Sequence, residues 1–211
     1  LLYGENSEYL TELTDKEVYY MDIASLKGDL TRAANYEAKI FYTGTLPFDD
    51  AYTILSQNLP LVANERPSNS PQVREMAQAT ENTIFFLPNN DAEQAQIHFY
   101  LPMQAADKKD DVLRDAFNQY FGIGFTGLVL NEIREKRSMA YTAYAHASTQ
   151  GISNKASCLI GYIGTQNDKA NEAVEVFMGL VNDMPEYSDR IDNIKSYLRQ
   201  EALTSHPSFR S

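Results

Sequence analysis

The sequence predicts an α+β domain whose antiparallel or mixed sheet carries its helices packed on one face. Short apolar segments typical of strands come in consecutive pairs joined by turns. Stretches with apolar residues at helical spacing are grouped between and after these pairs. Of the 211 residues, 43% are apolar and 22% are charged, a composition typical of a globular protein with a sizeable core.

The first half of the chain alternates helix and strand. Thr14 and Glu17 have the spacing of a capping box, which predicts a helix near residues 15–35. An apolar run at residues 39–44 predicts a strand, and a second helix is expected near residues 48–58. Residues 63–72, rich in proline and serine, predict a surface loop. Residues 83–87 and 95–101 are predicted strands, joined as a hairpin by a turn at residues 89–91.

The second half predicts a long helical stretch at residues 111–136, interrupted by glycines at positions 122, 124 and 127. Strands are expected at residues 141–147 and 157–166, with a turn at residues 151–154 between them. Asn167 and Asp168 are expected to cap a helix that Pro185 ends, and Ser188 to cap the last helix. Apolar positions expected to face inward in these two helices are Val174, Phe177, Leu180, Val181, Met184, Ile191, Ile194, Leu198 and Leu203.

The charge and the single cysteine exclude several function classes. A net charge of −11 makes nucleic acid an improbable partner, because binding phosphates requires clustered cations. Apolar stretches reach nowhere near the 18 residues needed to span a membrane. Cys158 lies in an apolar run and is expected to be a small buried hydrophobic residue rather than a catalytic thiol.

Common catalytic and metal-binding patterns are absent. His98, His146 and His206 are too far apart in sequence to form a helical metal pair, and neither H-E-x-x-H nor H-x-x-E-H occurs. The glycines at 122, 124 and 127 match G-x-G-x-x-G, but they follow a predicted helix rather than a strand. We therefore expect no metal ligands and no nucleotide site in this chain.

The most informative stretch is residues 130–141, where a charged helix end leads through a short turn into a tyrosine-rich strand. Arg134 offers a planar fork of donors and Tyr141 a hydroxyl on a rigid ring, and such a pair could hold peptide carbonyls. Physical chemistry alone favours the alternative that this is an ordinary helix C-terminus, where the helix dipole favours cations.

A family signal lies in Phe121-Gly122 and in the run that follows, Gly127-Leu128-Val129-Leu130-Asn131-Glu132-Ile133-Arg134-Glu135-Lys136-Arg137-Ser138-Met139-Ala140-Tyr141. These residues resemble the pitrilysin/insulinase family of zinc metallopeptidases, which includes mitochondrial processing peptidase. That family has a similar glycine-rich helix start followed by R-E-K-R-G-L-A-Y-S. Ser138 and Met139 replace the usual Gly-Leu and leave Arg134 and Tyr141 in register. The order of predicted elements agrees along nearly the whole chain.

The resemblance implies a C-terminal, non-zinc domain that closes over a peptide substrate. Arg134 and Tyr141 would bind the substrate backbone beside the scissile bond, and Tyr141 would also support the transition state. Zinc would be held by the other half of the same protein, in an H-x-x-E-H motif that is absent here. The fragment alone is therefore expected to bind no zinc and to be inactive. We expect residues 1–36 to be a helical lead-in and residues 37–211 the substrate-binding domain.

Two other functions remain open at this stage. The parent could be a non-catalytic scaffold homologue, or the chain could be an acidic module that binds a basic partner. The chain starts without Met and ends without a stop signal of its own, so we interpret it as a piece of a longer polypeptide. Its compartment is undecided between bacterial cytoplasm and periplasm, with a preference for the periplasm. A homodimer through an exposed sheet edge is a further expectation.

Overall fold

The computed structural model describes residues 2–33, 36, 39–59, 73–152 and 154–205. The chain divides into two compact units, one built mainly from residues 75–206 and one mainly from residues 5–74. The domain boundary expected after residue 36 stays a prediction. Among the residues that the structure describes, every helix is too short or too polar to cross a bilayer.

In the unit of residues 5–74, the described part of the chain forms three α-helices: α1 (Asp15–Tyr19), α2 (Ile23–Ala33) and α3 (Phe48–Asn58). The predicted capping box is confirmed, because the amide of Glu17 donates to Thr14 Oγ1 and the amide of Thr14 donates to Glu17 Oε2. The expected helix over 15–35 is two helices, since Asp22 accepts from the amide of Ser25 and begins the second one. The predicted helix at 48–58 is confirmed.

The strand predicted at residues 39–44 is wrong. Residues 39–43 form no ladder, and a bend follows at residues 44–46. The amide of Leu46 donates to the hydroxyl of Tyr42 at 2.9 Å, so the chain turns where the prediction continued it straight. Ile40 and Phe41 are exposed. An apolar run becomes a strand only when a neighbouring strand pairs with it. The loop predicted at residues 63–72 lies outside the described residues.

The unit of residues 75–206 is built on an antiparallel sheet of three strands within the described residues: β1 (Ala95–Ala106), β2 (Ala140–Thr149) and β3 (Lys155–Thr165). Their order is β1-β3-β2, with β3 in the centre. All three were predicted from sequence, as was the turn after β2, where Gly151 and Asn154 both have positive φ. The predicted α+β class is confirmed.

The helices of this unit pack on one face of the sheet. They are α4 (Asp111–Phe121), a short α5 (Leu128–Leu130) that continues as a π-helical turn (Asn131–Glu135), α6 (Ala170–Asn182) and α7 (Asp189–Thr204). Phe177 of α6 stacks on Phe99 of β1, with ring centroids 4.0 Å apart. Gly161 makes room for this contact, because a Cβ there would lie 2.5 Å from Phe177 Cζ. The buried core includes Phe121, Leu128, Val129, Ile133, Ala143, Ala145, Ile163, Ala173 and Phe177.

The starts of the last two helices differ in detail from expectation. A 3-10 turn (Asn167–Lys169) precedes α6, and Ser188 precedes α7, but neither helix has a side-chain cap hydrogen bond. α6 ends at Asn182, before Pro185. Of the α7 residues expected to face inward, Ile194 packs against the core, whereas Ile191 and Leu203 are exposed.

The strand predicted at residues 83–87, and with it the hairpin to β1, is wrong. The predicted turn does form, since the amide of Ala92 donates to the carbonyl of Asn89. Residues 83–87 are nevertheless unpaired in the structure. The side chains of this run, from Ile84 to Leu87, are 69–93% exposed. The physical reason is again the missing ladder: pairing partners, not apolar content, make a strand.

The outer edge of β2 is covered by the end of α4. The Asn118 side chain donates to the carbonyl of Ala147 at 3.1 Å and accepts from its amide at 2.6 Å, as a neighbouring strand would. Two residues away, the amide of Ala145 donates to the carbonyl of Gly122. These bonds satisfy backbone groups that an edge strand would otherwise expose, and they fix the helical layer over β2.

Candidate functional site

The helix that leads into the site ends in a π-helical turn. The amide of Lys136 donates to the carbonyl of Asn131 at 2.9 Å, five residues back, and the turn covers Asn131–Glu135. Such turns are rare and frequent at functional sites. Here the turn buries Glu132 and Ile133 and leaves Arg134 half-buried. Within this turn the side chain of Glu132 is therefore a buried anchor, whereas the side chain of Arg134 reaches solvent.

Glu132 is the anchor. Its carboxylate accepts hydrogen bonds of 2.6 Å from Lys136 Nζ and from Arg137 Nη1, and Arg137 also donates to the Glu132 carbonyl at 2.7 Å. Burial acts to raise the pKa of Glu132, but the hydrogen bonds and charges of Lys136 and Arg137 together hold that pKa below its ordinary value. The pKa of Lys136 is raised, chiefly by its hydrogen bond to Glu132. Both cations thus fix the turn rather than project into the site.

The turn after the helix is tied to the central strand. Ser138 has a φ of 50°, in the left-handed region, and its amide donates to the carbonyl of Arg134. The amide of Met139 donates to the carbonyl of Ile133 at 3.0 Å. The carbonyl of Met139 in turn accepts from the buried hydroxyl of Thr165 in β3. This double closure resembles a Schellman ending, for which glycine is the usual left-handed residue.

Tyr141 occupies a β-bulge at the start of β2. Ala140 pairs with Thr165 and Thr142 pairs with Gly164, so Tyr141 is the additional residue between them. A bulge re-aims the side chain that it carries. The Tyr141 ring is 76% exposed. Its centroid lies 5.4 Å from Arg134 Cζ, within cation–π range. The structure thus brings the two predicted site residues together.

Arg134 and Tyr141 line a cleft of about 390 Å³. Arg134 Nε also lies 3.5 Å from a carboxylate oxygen of Glu135, which orients the guanidinium. The cleft walls combine donors and acceptors with backbone at Gly164. Its lining residues are Gln94, Arg134, Glu135, Ser138, Met139, Ala140, Tyr141, Gly164, Thr165 and Gln166. A guanidinium, a phenol and two amides side by side can donate to backbone carbonyls and accept from backbone amides.

The sequence analysis did not select Gln94 and Gln166. They flank the first register pair of the sheet, Ala95 with Thr165, so they come together only once that pairing is known. Glu132 was also missed as an anchor. The i,i+4 spacing of Glu132 and Lys136 is an ordinary helical pairing signal that could have found it, whereas its contact with Arg137, five residues on, depends on the π-helical turn.

Of the remaining sequence candidates, Cys158, His98 and His146 lie outside the cleft lining. Cys158 is fully buried, as predicted, and burial raises the pKa of its thiol. His98 and His146 lie on β1 and β2, and His206 lies outside the described residues. In the part of the chain that the structure describes, no three metal-ligating side chains of His, Cys, Asp or Glu cluster together.

The sequence is similar to a known protein family and to a protein from Helicobacter pylori. The family model described as "Peptidase M16 inactive domain" matches residues 34–199. A relative from Helicobacter pylori, named "Non-peptidase homolog YmxG", is 22% identical over 172 residues. That match covers 77% of this chain but 38% of the relative, so the chain spans well under half of that protein.

The fold is shared with several solved structures, including the following three. A conserved protein from Enterococcus faecalis V583 matches with a TM-score of 0.66 and 18% identity, covering 96% of this chain and 48% of that one. A protease from Helicobacter pylori matches with a TM-score of 0.57 and 15% identity, covering 76% and 39%. A peptidase M16 inactive domain from Pseudomonas fluorescens matches with a TM-score of 0.54 and 18% identity, covering 90% and 46%.

The family match spans most of the chain, and the resemblance inferred from the run ending at Tyr141 agrees with it. The expected non-zinc, C-terminal type of domain is therefore confirmed. The chain belongs to the peptidase M16 inactive domain family.

Proposed function

We propose that this chain binds the backbone of an extended peptide in the cleft of Arg134 and Tyr141, as the substrate-binding domain of a zinc-dependent endopeptidase. The observation that carries the proposal is the convergence of these two side chains, 5.4 Å apart, on one cleft. In this proposal the guanidinium and the phenol donate to peptide carbonyls, and the side-chain amides of Gln94 and Gln166 extend the row of polar partners.

The electrostatics of the site favour this use of Arg134. Lys136 and Arg137 are already bound to the buried carboxylate of Glu132. Arg134 pairs at 3.5 Å with the exposed Glu135, and an exposed pair of this kind is worth little. Replacing part of the Arg134–Glu135 interaction with a hydrogen bond to a peptide carbonyl therefore costs little free energy. Hydrogen bonds from a charged donor are about twice as strong as those between neutral groups.

The described residues do not fit a zinc centre, because they hold no cluster of three suitable ligands. In our proposal the zinc-bearing half of the same polypeptide holds the metal, and this chain holds and orients the peptide. Tyr141 would lie close enough to the reacting carbonyl to support the charge that develops on its oxygen.

A non-catalytic scaffold is the second candidate. The observation that favours it is the name of the Helicobacter pylori relative, a non-peptidase homolog. In a scaffold the same cleft would hold a peptide segment of a partner without cleaving it. The two candidates therefore share peptide binding and differ in the activity of the whole polypeptide.

Peptide binding is tested on this chain by fluorescence anisotropy with a labelled unstructured peptide. We expect Arg134→Ala to weaken binding by about tenfold or more, and Tyr141→Phe by about threefold. Arg199→Ala and Tyr197→Phe are matched controls, since both residues are exposed on α7 and outside the cleft lining. Equal affinities for wild type and the Arg134 variant would overturn the proposed site.

The enzymatic part is tested on the longest natural polypeptide that contains this chain. We expect cleavage of an unstructured fluorogenic peptide, inhibition by a zinc chelator and bound zinc in the purified protein. Cleavage should fall by about a hundredfold in Arg134→Ala or Tyr141→Phe, the cost of one lost transition-state donor. Peptide binding without zinc and without cleavage would favour the scaffold.

A further inference from the structure

Aromatic side chains form a row across the sheet on the face opposite the helices. His98 of β1 and Tyr144 of β2 both pair in register with Tyr162 of β3. The ring centroids of His98 and Tyr162 are 5.0 Å apart, and those of Tyr144 and Tyr162 are 5.4 Å apart. We call these three residues the aromatic row. Alternation along each strand places it away from the core, which takes the neighbours Ala143 and Ile163.

The ring geometry limits what the aromatic row can bind. The Tyr144 and Tyr162 planes differ by 28°, and their centroid separation is that of an offset stack. Each of these two rings therefore covers part of the other's face, and this contact leaves the ring rims uncovered. Ring rims carry partial positive charge and attract the negative face of another aromatic ring. A cation needs an open ring face, which this arrangement largely withholds.

The aromatic row is continuous with the cleft. A Cβ placed on Gly164 would lie 3.1 Å from the Tyr162 hydroxyl, so that hydroxyl lies directly over Gly164. Gly164 is also part of the cleft lining. Along β2, Tyr144 follows Tyr141 by three residues, about 10 Å in an extended chain. A peptide held at Tyr141 therefore reaches the row with a side chain about three residues away.

The other end of this sheet face is covered. The hydroxyl of Tyr100 donates to the carbonyl of Ala77 at 2.6 Å, and Lys155 forms an ion pair with Glu75 at 2.7 Å. Met76, which lies between Glu75 and Ala77 in the chain, is buried. Cys158, at this end of β3, is also buried. The exposed part of the face, with Tyr144 at 40% exposure, is thus the part beside the cleft.

We propose that the aromatic row binds an aromatic side chain of the same peptide whose backbone lies at Arg134 and Tyr141. This inference rests on the proposed function and adds a specificity to it: peptides with Phe or Tyr about three residues from the position held by Arg134 bind best. The occupant is an aromatic ring because the row offers ring rims rather than open ring faces.

The test uses a series of short labelled peptides of Ala, Ser and Thr, in which a single Phe, Ala or Lys is placed at each position in turn. We expect one Phe position to bind about tenfold more tightly than the matching Ala peptide. Tyr144→Thr keeps a good strand residue and should reduce that preference to about twofold or less. Tyr144→Phe keeps the ring and should retain it, and His98→Thr removes the opposite end of the row as a second probe.

The outcomes separate this inference from the proposed function. If Arg134→Ala weakens every peptide and no Phe position is preferred, the aromatic subsite is overturned and the proposed function stands. A preference for Lys over Phe, or a Phe preference that survives both Tyr144→Thr and His98→Thr, also overturns the subsite. If Arg134→Ala leaves every affinity unchanged, the proposed function falls and this inference falls with it.

Discussion

The amide nitrogen of Ser138 donates a hydrogen bond of 2.8 Å to the carbonyl oxygen of Arg134, and Ser138 makes it with a φ of 50°. Left-handed backbone costs an L-residue about 1–2 kcal/mol, and glycine avoids most of that cost. The family that the sequence resembles has glycine at this position. The turn that separates the two cleft residues therefore stores strain in this chain.

We expect Ser138→Gly to raise the free energy of unfolding by about 1 kcal/mol, because the native φ becomes unstrained. Urea denaturation measures the change. Ser196→Gly is the matched control: Ser196 lies in the middle of α7, where glycine should instead lower stability by about 0.5–1 kcal/mol. If both variants lose stability, strain at Ser138 is not the explanation for its φ.

The ion-pair cluster at Glu132 gives a second prediction. Glu132→Gln should lower the free energy of unfolding by about 1–3 kcal/mol, since it weakens two charged hydrogen bonds at a buried site. The loss should not reach the larger values typical of fully buried pairs, because the side chains of Lys136 and Arg137 are 51% and 40% exposed. Glu172→Gln, in an exposed pair with Lys169, is the control and should be close to neutral.

The same cluster sets a pH dependence. The pKa of Glu132 is lowered in the folded chain from an ordinary value of 4.5. Its stabilising contribution is therefore fully present above the unfolded pKa and is lost as the pH falls through the folded pKa. We expect the stability difference between wild type and Glu132→Gln to be constant near neutral pH and to shrink progressively below about pH 5.5, as first the unfolded and then the folded chain binds the proton. A difference that already shrinks near neutral pH would contradict a lowered pKa.

The sequence allowed prediction of elements that carry a local signal. β2 and β3 were predicted as two strands that flank a short turn, and β1 was predicted because it alternates with period two, although its partner β3 is distant in the chain. The strands expected at residues 39–44 and 83–87 failed, since an apolar run carries no information about which strand, if any, will pair with it. Tertiary pairing decides such runs.

The candidate site could also be predicted only in part: its two main residues, but not the geometry that brings them together. Resemblance to the family selected Arg134 and Tyr141, but their approach depends on two local irregularities, the π-helical turn and the bulge at Tyr141. Neither irregularity has a periodic signature in the sequence. The aromatic row likewise appears only after the register is known, because His98, Tyr144 and Tyr162 are distant along the chain.

A fourth prediction concerns Cys158. The thiol is fully buried and its pKa is raised by that burial, so the reactive thiolate is scarce and inaccessible in the folded chain. We expect a colorimetric disulfide reagent to react with it about a hundredfold more slowly than with free cysteine. Adding denaturant should restore the full rate. Rapid reaction in the native protein would contradict the burial of this end of the sheet.

The final prediction separates two glycines of the loop after α4. Gly122 has a φ of −144°, which other residues also adopt, but a Cβ there would overlap the backbone of Ala145 in β2. Gly124 has a φ of 75° and open space around it. Gly122→Ala must therefore push α4 away from β2, breaking the bond between Ala145 and Gly122 and disturbing the adjacent pairing of Asn118 with Ala147.

We expect Gly122→Ala to destabilise the fold by about 3 kcal/mol or more, as overpacking against rigid backbone does. Gly124→Ala should cost about 1 kcal/mol, the cost of a left-handed residue without a clash. Thermal and urea unfolding of the two variants measure both values. The reverse order of the two costs would mean that the loop needs glycine for its turn rather than for the contact of α4 with β2. In that case the covering of the β2 edge would not depend on the approach at Gly122.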